Sequence, residues 1–205
     1  MNIKSEKDII RVIKEDEWMM ELLKAAKLLN LPDWWICAGF VRSIIWDVLH
    51  GYKERTLLKD IDVIYFDPTN MEEDLEKELE EQLKNMVPNI PWSVKNQARM
   101  HVINNLPPYT SSVDGIANFP ETVTALGVKL DSQDNVILAA PHGIKDVIHL
   151  EVRPTPIFLT TERLRVVYEE RVRKKDWIST WTKLKVFHSL KEEFLGEKPH
   201  DKESY

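Results

Sequence analysis

The sequence has little cysteine, no long apolar run and no surplus of positive charge. Its one cysteine, Cys37, excludes an internal disulfide framework and a cysteine-rich zinc site, and its apolar neighbours favour a buried, inert thiol. A reducing cytoplasm is therefore the expected location. No apolar run approaches the roughly 18 residues that cross a bilayer, and the first residues lack the apolar core of a secretory signal. We expect no membrane contact.

The net charge of the chain is −6, with an isoelectric point near 5.6. Proteins that hold DNA by bulk electrostatics usually carry a basic surplus, so bulk DNA binding is not expected, although a local basic patch stays open. A chain of 205 residues with 43% hydrophobic content can bury one substantial core. We predict a single domain over 1–205, with a helical N-terminal extension (1–30), a sheet core (31–153) and a helical tail (154–205).

Periodicity and end signals predict a mixture of helices and strands. Ser5 and Asp16 are candidate N-caps of two N-terminal helices. A buried strand at 34–38 ends in Gly39 and runs into a helix that Gly51 terminates. Further predicted elements are strands at 57–67, 92–102, 122–130 and 136–140, and helices at 70–86, 163–175 and 177–190. The acidic residues of the helix at 70–86 are expected on a solvated face. The predicted fold class is α+β, a mixed sheet flanked by helices.

Asp60 and Asp62 stand two residues apart in a predicted strand, so their carboxylates project from the same face. Two acids placed together among apolar residues repel each other and resist burial, which a divalent cation would offset. A chain with 34 acidic residues also contains such a pair by chance. Taken alone, the pair is more often a set of solvated surface acids.

The turn before this strand favours a functional role for the acid pair. Gly39 leads directly into a helix N-terminus, where free N–H groups and the helix dipole favour anions such as phosphate, and Arg42 adds a cation. If the two strands are neighbours, turn and acids meet at one end of the sheet. The alternative is that Gly39 only permits a tight turn and Arg42 is an exposed helix residue.

These residues resemble a known superfamily. Ala38-Gly39-Phe40-Val41-Arg42 followed by Asp60-Ile61-Asp62 is similar to the strand, turn and D-x-D of DNA polymerase β-like nucleotidyltransferases, and particularly to the G-x-V-R pattern of tRNA nucleotidyltransferases. Further runs resemble a bacterial nucleotidyltransferase family whose physiological substrate is not defined; they lie at 92–101, 119–125 and 141–146. The resemblance implies a mixed-sheet nucleotidyltransferase fold.

The resemblance also implies transfer of a nucleoside monophosphate from an NTP to a hydroxyl acceptor, with release of pyrophosphate. Asp60 and Asp62 would hold Mg²⁺, as one or two ions. The acceptor is open between a small molecule, a protein and an RNA end. Phe40 stands where the superfamily commonly has a small serine, so phosphate contact is expected from the backbone at Gly39 and Phe40 and from Arg42.

One departure from the superfamily pattern concerns a third carboxylate, which a later strand normally offers. The expected strand reads Val94-Lys95-Asn96-Gln97 and has no acid. Asn96 offers an amide oxygen, so we predict it as a catalytic residue; Asp114 is a second candidate that is as readily a turn former. The missing acid keeps open a catalytically inactive nucleotide-binding or regulatory protein with the same fold.

The C-terminal tail is locally basic. Lys174 and Lys175 are predicted as nucleotide or phosphate contacts, because cations beside Trp177 and Trp181 suit single strands or triphosphates. A solvated amphipathic helix with a pair of core tryptophans is the competing interpretation.

Overall fold

The computed structural model describes residues 3–190. It opens with α1 (Glu6–Glu15) and α2 (Glu17–Leu28). Ser5 and Asp8 form a reciprocal capping box on α1, and the Asp16 side chain accepts a hydrogen bond from the Met19 N–H on α2. Both predicted N-caps are confirmed. The helices turn their apolar faces onto the sheet, which fixes the N-terminal segment against the core.

A five-stranded mixed sheet forms the centre of the molecule, in the order β3-β2-β1-β4-β5. Strand β1 runs antiparallel to β2 and β4, strand β2 runs parallel to β3, and β4 and β5 form an antiparallel pair. The strands are β1 (Trp35–Cys37), β2 (Ile61–Tyr65), β3 (Trp92–Asn96), β4 (Gly127–Leu130) and β5 (Val136–Ala139).

Helices flank this sheet, and a small parallel pair lies beside it. Helix α3 ends at Gly51, which has the left-handed conformation (φ 74°) expected of a glycine cap. The α+β class is confirmed. The remaining α-helices and strands are α3 (Gly39–His50), α4 (Glu73–Met86), α5 (Gln97–Met100), α6 (Ser112–Ala117), α7 (Lys145–Ile148), β6 (Glu151–Val152), α8 (Glu162–Lys175), α9 (Trp177–Thr180) and β7 (Lys185–Val186), and 3-10 helices lie at His101–Asn104 and Pro156–Leu159.

Three predicted strands are shorter than the sequence indicates. The strand expected at 92–102 stops at Asn96, because the Asn96 side chain accepts a hydrogen bond from the Ala98 N–H and caps α5. The strand prediction is therefore wrong for the residues after Asn96, which are helical up to Asn104. The strand at 122–130 begins only at Gly127, and the strand at 57–67 covers 61–65.

The predicted helix at 177–190 is also wrong. Helix α9 ends at Thr180, and the chain then pairs as β7 with β6. The Tyr168 hydroxyl donates to the carbonyls of Val152 and Phe187, which holds this pair beneath α8. Helix α8 matches its prediction within one residue.

One acidic residue of α4 departs from the predicted solvated face. Glu76 of α4 is fully buried rather than solvated. It accepts hydrogen bonds from Arg99 Nε (2.7 Å), Lys95 Nζ (3.2 Å) and the Asn96 N–H (2.8 Å). Helix α4 is therefore bound to the end of β3 by a buried carboxylate and the half-buried cations around it.

The two faces of the sheet are covered differently. One face carries the main core, to which α1, α2, α3 and α4 contribute. Trp35, Cys37 and Ile64 lie on the other face and pack with Ile116, Ala125 and Ala139. No helix within residues 3–190 is both long and apolar enough to cross a membrane.

Candidate active site

The register of β1 against β2 brings the turn and the acid pair together. Cys37, the last residue of β1, pairs with Asp62, the second residue of β2. Asp60 lies immediately before that strand. Because the strands are antiparallel, the start of α3 and both acids lie at the same end of the sheet. Loop residue Leu58 reaches the turn from above, since a Cβ built on Gly39 would lie 3.8 Å from its Cδ2.

The start of α3 offers free backbone donors. Ala38, the N-cap, makes no side-chain capping hydrogen bond, and its carbonyl accepts from the N–H groups of Val41 (3.2 Å) and Arg42 (3.0 Å). Within the described chain, the N–H groups of Gly39 and Phe40 donate to no acceptor. A twelve-residue helix with free N–H groups at its start is a favourable place for an anion.

Arg42 lies beneath this turn in an aromatic cage. Its guanidinium carbon is 4.9, 4.5 and 5.6 Å from the ring centres of Trp46, Trp177 and Trp181. The side chain is buried and donates to Ser43 Oγ, while Nε has no partner in residues 3–190. Burial lowers the pKa of Arg42 to about 10, against the opposing charges of Glu121 and Asp60.

Arg42 is therefore buried, and the alternative interpretation of it as an exposed helix residue is wrong. The gap between it and the turn is small, because a Cβ built on Gly39 would lie 3.7 Å from Arg42 Nη2. The cage is fixed to α3 by Asp47, whose Oδ1 accepts from Trp181 Nε1 at 2.8 Å. The same carboxylate accepts from Thr56, so it also holds the loop that leads to Asp60.

The acid pair is electrostatically strained. Burial and the neighbouring Asp60 raise the pKa of Asp62 to about 6, while Lys175, the Ser93 hydroxyl and Arg171 act in the opposite direction. Below the pair, burial and both acids raise the pKa of the Cys37 thiol, which stays inert. A carboxylate held beside another carboxylate in a partly dry site is stabilised by a cation.

The strand next to the acids carries a serine in place of a third carboxylate. The parallel register pairs Asp62 with Ser93 and Tyr65 with Asn96. Across the part of the chain that the structure describes, no three His, Cys, Asp or Glu side chains gather as a metal site. Two carboxylates nevertheless suit Mg²⁺, which keeps several waters and binds through one or two carboxylates plus substrate phosphates.

The predicted catalytic residue Asn96 lies apart from the acids. Asn96 is buried, with its oxygen accepting from the N–H groups of Asp67 and Ala98 and its nitrogen donating to the carbonyls of Asp67 and Asn70. Its amide has no group left for a ligand, so the structure does not bring it to the acid pair. The reason is that β3 ends there and needs a cap.

Phe40 has its ring in the core, 6.0 Å from that of Trp18, so only its backbone faces the turn. Lys174 and Lys175 are both exposed at the end of α8, and the charge of Lys175 acts to lower the pKa of Asp62. Asp114 accepts from the Thr110 N–H and side chain, as a turn former does.

Arg171 and Glu121 stand at the site although they were not predicted there. Arg171 Nε donates to Glu121 Oε1 at 2.9 Å, and Thr124 Oγ1 donates to Glu121 Oε2 at 2.8 Å. Glu121 is fully buried, and its charge acts on both Arg42 and Arg171. Arg171 precedes Lys175 by one helical turn, a spacing that could have indicated a shared face; Glu121 carries no local signal.

A pocket of about 380 Å³ adjoins Asp62. Cys37, Asp62 and Ile64 of the sheet form its floor, and its walls include Gln97, Tyr109 and Arg171. A larger groove of about 710 Å³ lies between α2 and the end of α4, with none of the acid-pair residues in its lining. The pocket on the acid face is therefore the one that belongs to the site.

Comparisons with known proteins agree with this geometry. The sequence matches the nucleotidyltransferase family over residues 24–186, and the chain belongs to that family. Its fold is similar to an NMR structure described as revealing a CCA-adding enzyme head domain, with 35% identity and a TM-score of 0.82 over 91% of this chain and 97% of that one. The predicted superfamily is confirmed.

More distant structures share the fold alone. A CCA-adding enzyme in complex with CTP matches with 16% identity and a TM-score of 0.55, and a Thermotoga maritima CCA-adding enzyme complexed with tRNA matches with 16% identity and a TM-score of 0.54. Each covers 91% of this chain, which spans only 44% and 43% of theirs. No curated protein is similar enough in sequence to match.

Proposed function

We propose that this protein transfers a nucleoside monophosphate from an NTP to a hydroxyl acceptor, with pyrophosphate as the second product. Family membership supports a nucleotidyltransferase. The observation that carries the assignment to these residues is the pairing of Cys37 with Asp62, which sets the free N–H groups of α3 beside both acids. An NTP needs both features, because its phosphates require donors and its reacting phosphorus requires charge compensation.

Two groups of residues have different roles in this proposal: backbone N–H groups bind the phosphates, and cationic side chains supply positive charge. The N–H groups of Gly39 and Phe40 bind the terminal phosphates at the start of α3. Arg42 acts from below the turn, holding its geometry and adding positive charge without leaving its cage. Arg171 and Lys175 approach from α8 and balance the acids on the other side.

Asp60 and Asp62 would hold Mg²⁺, which when bound neutralises the charge that develops on the transferring phosphoryl group. The pair orients the reacting phosphate between the α3 donors and an incoming hydroxyl. Holding reactants in line accounts for much of such catalysis, and it requires little covalent chemistry from the protein. The acceptor is a small molecule, a protein or an RNA end.

A second function is favoured by Ser93. Because a serine and not a carboxylate lies opposite Asp62, the site has one proton acceptor fewer than the superfamily pattern. A protein that binds NTP with Mg²⁺ and does not turn it over would fit this arrangement. It would act as a nucleotide-binding or regulatory protein.

Pyrophosphate release tests the proposal. Wild type, Asp60→Asn, Asp62→Asn and the exposed control Asp74→Asn are incubated with each NTP, Mg²⁺ and a panel of nucleosides, monosaccharides and RNA with a free 3′ hydroxyl. We expect release from wild type and the control and at least a hundredfold loss in both site variants, because each removes charge from the reacting centre. Full activity in Asp62→Asn would contradict the assignment of the site.

A further inference from the structure

The pocket beside Asp62 is large enough for one flat polar molecule and is not explained by the phosphate turn. Its volume is about 380 Å³, and its lining is mainly apolar, with Ile64, Met100 and Val167 among the contributors. A few polar groups interrupt this lining, as is usual for sites that orient a small ligand. The most buried of the amides among them is Gln97.

Gln97 is 3% exposed, yet in the described residues its side-chain amide has no hydrogen-bond partner. An amide that lines a pocket and makes no hydrogen bond to the protein is open to a hydrogen bond from a ligand or water there. By contrast, the neighbouring Asn96 uses every donor and acceptor of its amide. The difference indicates that the Gln97 amide is kept free for the pocket.

Gly115 leaves room for the Gln97 side chain. A Cβ on Gly115 would lie 2.6 Å from Gln97 Oε1, which is closer than real Cβ atoms approach, and 3.1 Å from its Cγ. Gln97 itself begins α5 directly after the Asn96 cap. The backbone at Gln97 is therefore set by the Asn96 cap, and its amide packs against Gly115 in the wall of the pocket.

The pocket is continuous with the phosphate turn. Ala38 lines the pocket and is also the N-cap of α3, while Asp62 stands at the boundary between the two regions. A ligand with its anionic end on the α3 N–H groups would pass the acid pair and place its other end beside Gln97. An NTP has this form, with phosphates at one end and a flat hydrogen-bonding base at the other.

We propose that this pocket holds the nucleoside part of the NTP and that Gln97 is the residue that determines base preference. An amide offers a donor and an acceptor in one plane, which complements the polar edge of a base. The inference rests on the proposed function, because it assumes that an NTP occupies the turn. The acceptor is then bound outside this pocket.

Binding of the four NTPs, measured by calorimetry with Mg²⁺, tests the assignment. The variants are Gln97→Leu, which keeps the size and removes the amide, Gly115→Ala, which displaces it, and Gln133→Leu, a matched control at an exposed glutamine. We expect wild type and the control to prefer one NTP, and both pocket variants to bind that NTP about tenfold more weakly and the others almost unchanged.

The unliganded melting temperature separates a ligand contact from a structural one. Gln97→Leu should melt no lower than wild type, because its amide has no partner to lose. An unchanged order of NTP affinities in Gln97→Leu overturns the inference and leaves the proposed function standing. A variant that binds every NTP normally but loses turnover has the same meaning, because the pocket would then hold the acceptor. If wild type binds no NTP, the proposed function fails with it.

Discussion

At the scale of single residues, Ala38 holds a backbone conformation that side chains with a Cβ rarely adopt. Its φ of 55° and ψ of −116° lie outside the allowed regions for alanine, and it is the residue that turns β1 into α3. Such strain costs on the order of 1–3 kcal/mol and persists only where the surroundings enforce it. Here the strained residue forms the turn that places the start of α3 at the same end of the sheet as the acid pair.

Ala38→Gly should stabilise the protein, because glycine adopts this conformation without a clash. We expect a gain of about 1 kcal/mol in the free energy of unfolding, measured by chemical denaturation. Ala25→Gly, at a buried position within α2, should lose about that amount or more. A loss of stability in Ala38→Gly would mean that the turn is not strained.

Asp62 makes stability depend on pH. Its pKa in the folded protein, about 6, is above its usual value, so the folded state binds the proton more tightly than the unfolded chain. Its contribution to stability therefore falls as the pH rises through 4 to 6 and is unfavourable above that range. Asp62→Asn removes this penalty.

Without metal at pH 7.5, Asp62→Asn should gain on the order of 1–2 kcal/mol, or roughly 2–8 °C in melting temperature, and at pH 4 the gain should vanish. Thermal unfolding at both pH values measures this, with the exposed Asp74→Asn as control. An equal change at both pH values would show that the carboxylate charge is not the cause.

At the scale of elements, α9 supports α3 from outside the sheet. Trp177 and Trp181 complete the cage around Arg42, and the bond from Trp181 Nε1 to Asp47 connects that cage to α3. The turn that we propose as the phosphate site therefore depends on a segment more than a hundred residues later in the chain.

Trp181→Phe keeps an aromatic face over Arg42 and removes the donor to Asp47. Because Asp47 is buried, we expect a cost of about 1–3 kcal/mol in chemical denaturation. A change below 0.5 kcal/mol would show that this bond does not stabilise the cage.

Helix α4 is joined to β3 by the charges around Glu76. Burial raises the pKa of Glu76, but bonds from Arg99, the Asn96 N–H and Lys95 outweigh it, so the pKa is lowered overall. A carboxylate with a lowered pKa stabilises the fold above its unfolded pKa and loses that contribution as the pH falls.

Glu76→Gln should cost about 2–4 kcal/mol at pH 7, since it removes a buried carboxylate that accepts from two half-buried cations and a backbone N–H. The cost should shrink in acid. Glu78→Gln, at an exposed position of the same helix, should change stability by less than about 0.5 kcal/mol in the same denaturation series. Equal effects of the two variants would contradict the burial of Glu76.

The unit β1–α3–β2 was predictable because its signals are local. A short apolar run, a glycine turn and helical periodicity occur in direct succession, and each indicates one element of the unit. Position 97 shows the limit, since β-forming neighbours favour a strand while the Asn96 cap starts a helix. The helix predicted at 177–190 is wrong for a similar reason, because β7 forms through its pairing with β6, which is distant in sequence.

The candidate site was predictable only where residues are close in sequence. The acid pair and the turn stand within 25 residues and share a pattern. Ser93, Glu121 and Arg171 reach the acids through strand register and the packing of α8, which no local pattern encodes. Asn96 was predicted from its place in the strand, but the register sets Ser93, three residues earlier, opposite Asp62.

At the scale of the whole molecule, the chain matches a separately folded head domain over nearly its full length. The main core joins residues from Ile3 to Leu184, so the N-terminal helices and the C-terminal elements pack into one cluster with the sheet. The division into an extension, a core and a tail stays a prediction. The candidate site lies where these parts meet.

Thermal unfolding with each NTP, with and without Mg²⁺, tests the central claim most directly, in wild type and in the Asp60→Asn/Asp62→Asn double variant. A ligand at about 100 times its dissociation constant adds roughly 2.7 kcal/mol, or on the order of 5–10 °C for a chain of this size. We predict such a shift in wild type with Mg²⁺ and none in the double variant. An equal shift in both proteins, or no shift with any NTP, would contradict a nucleotide site at these acids.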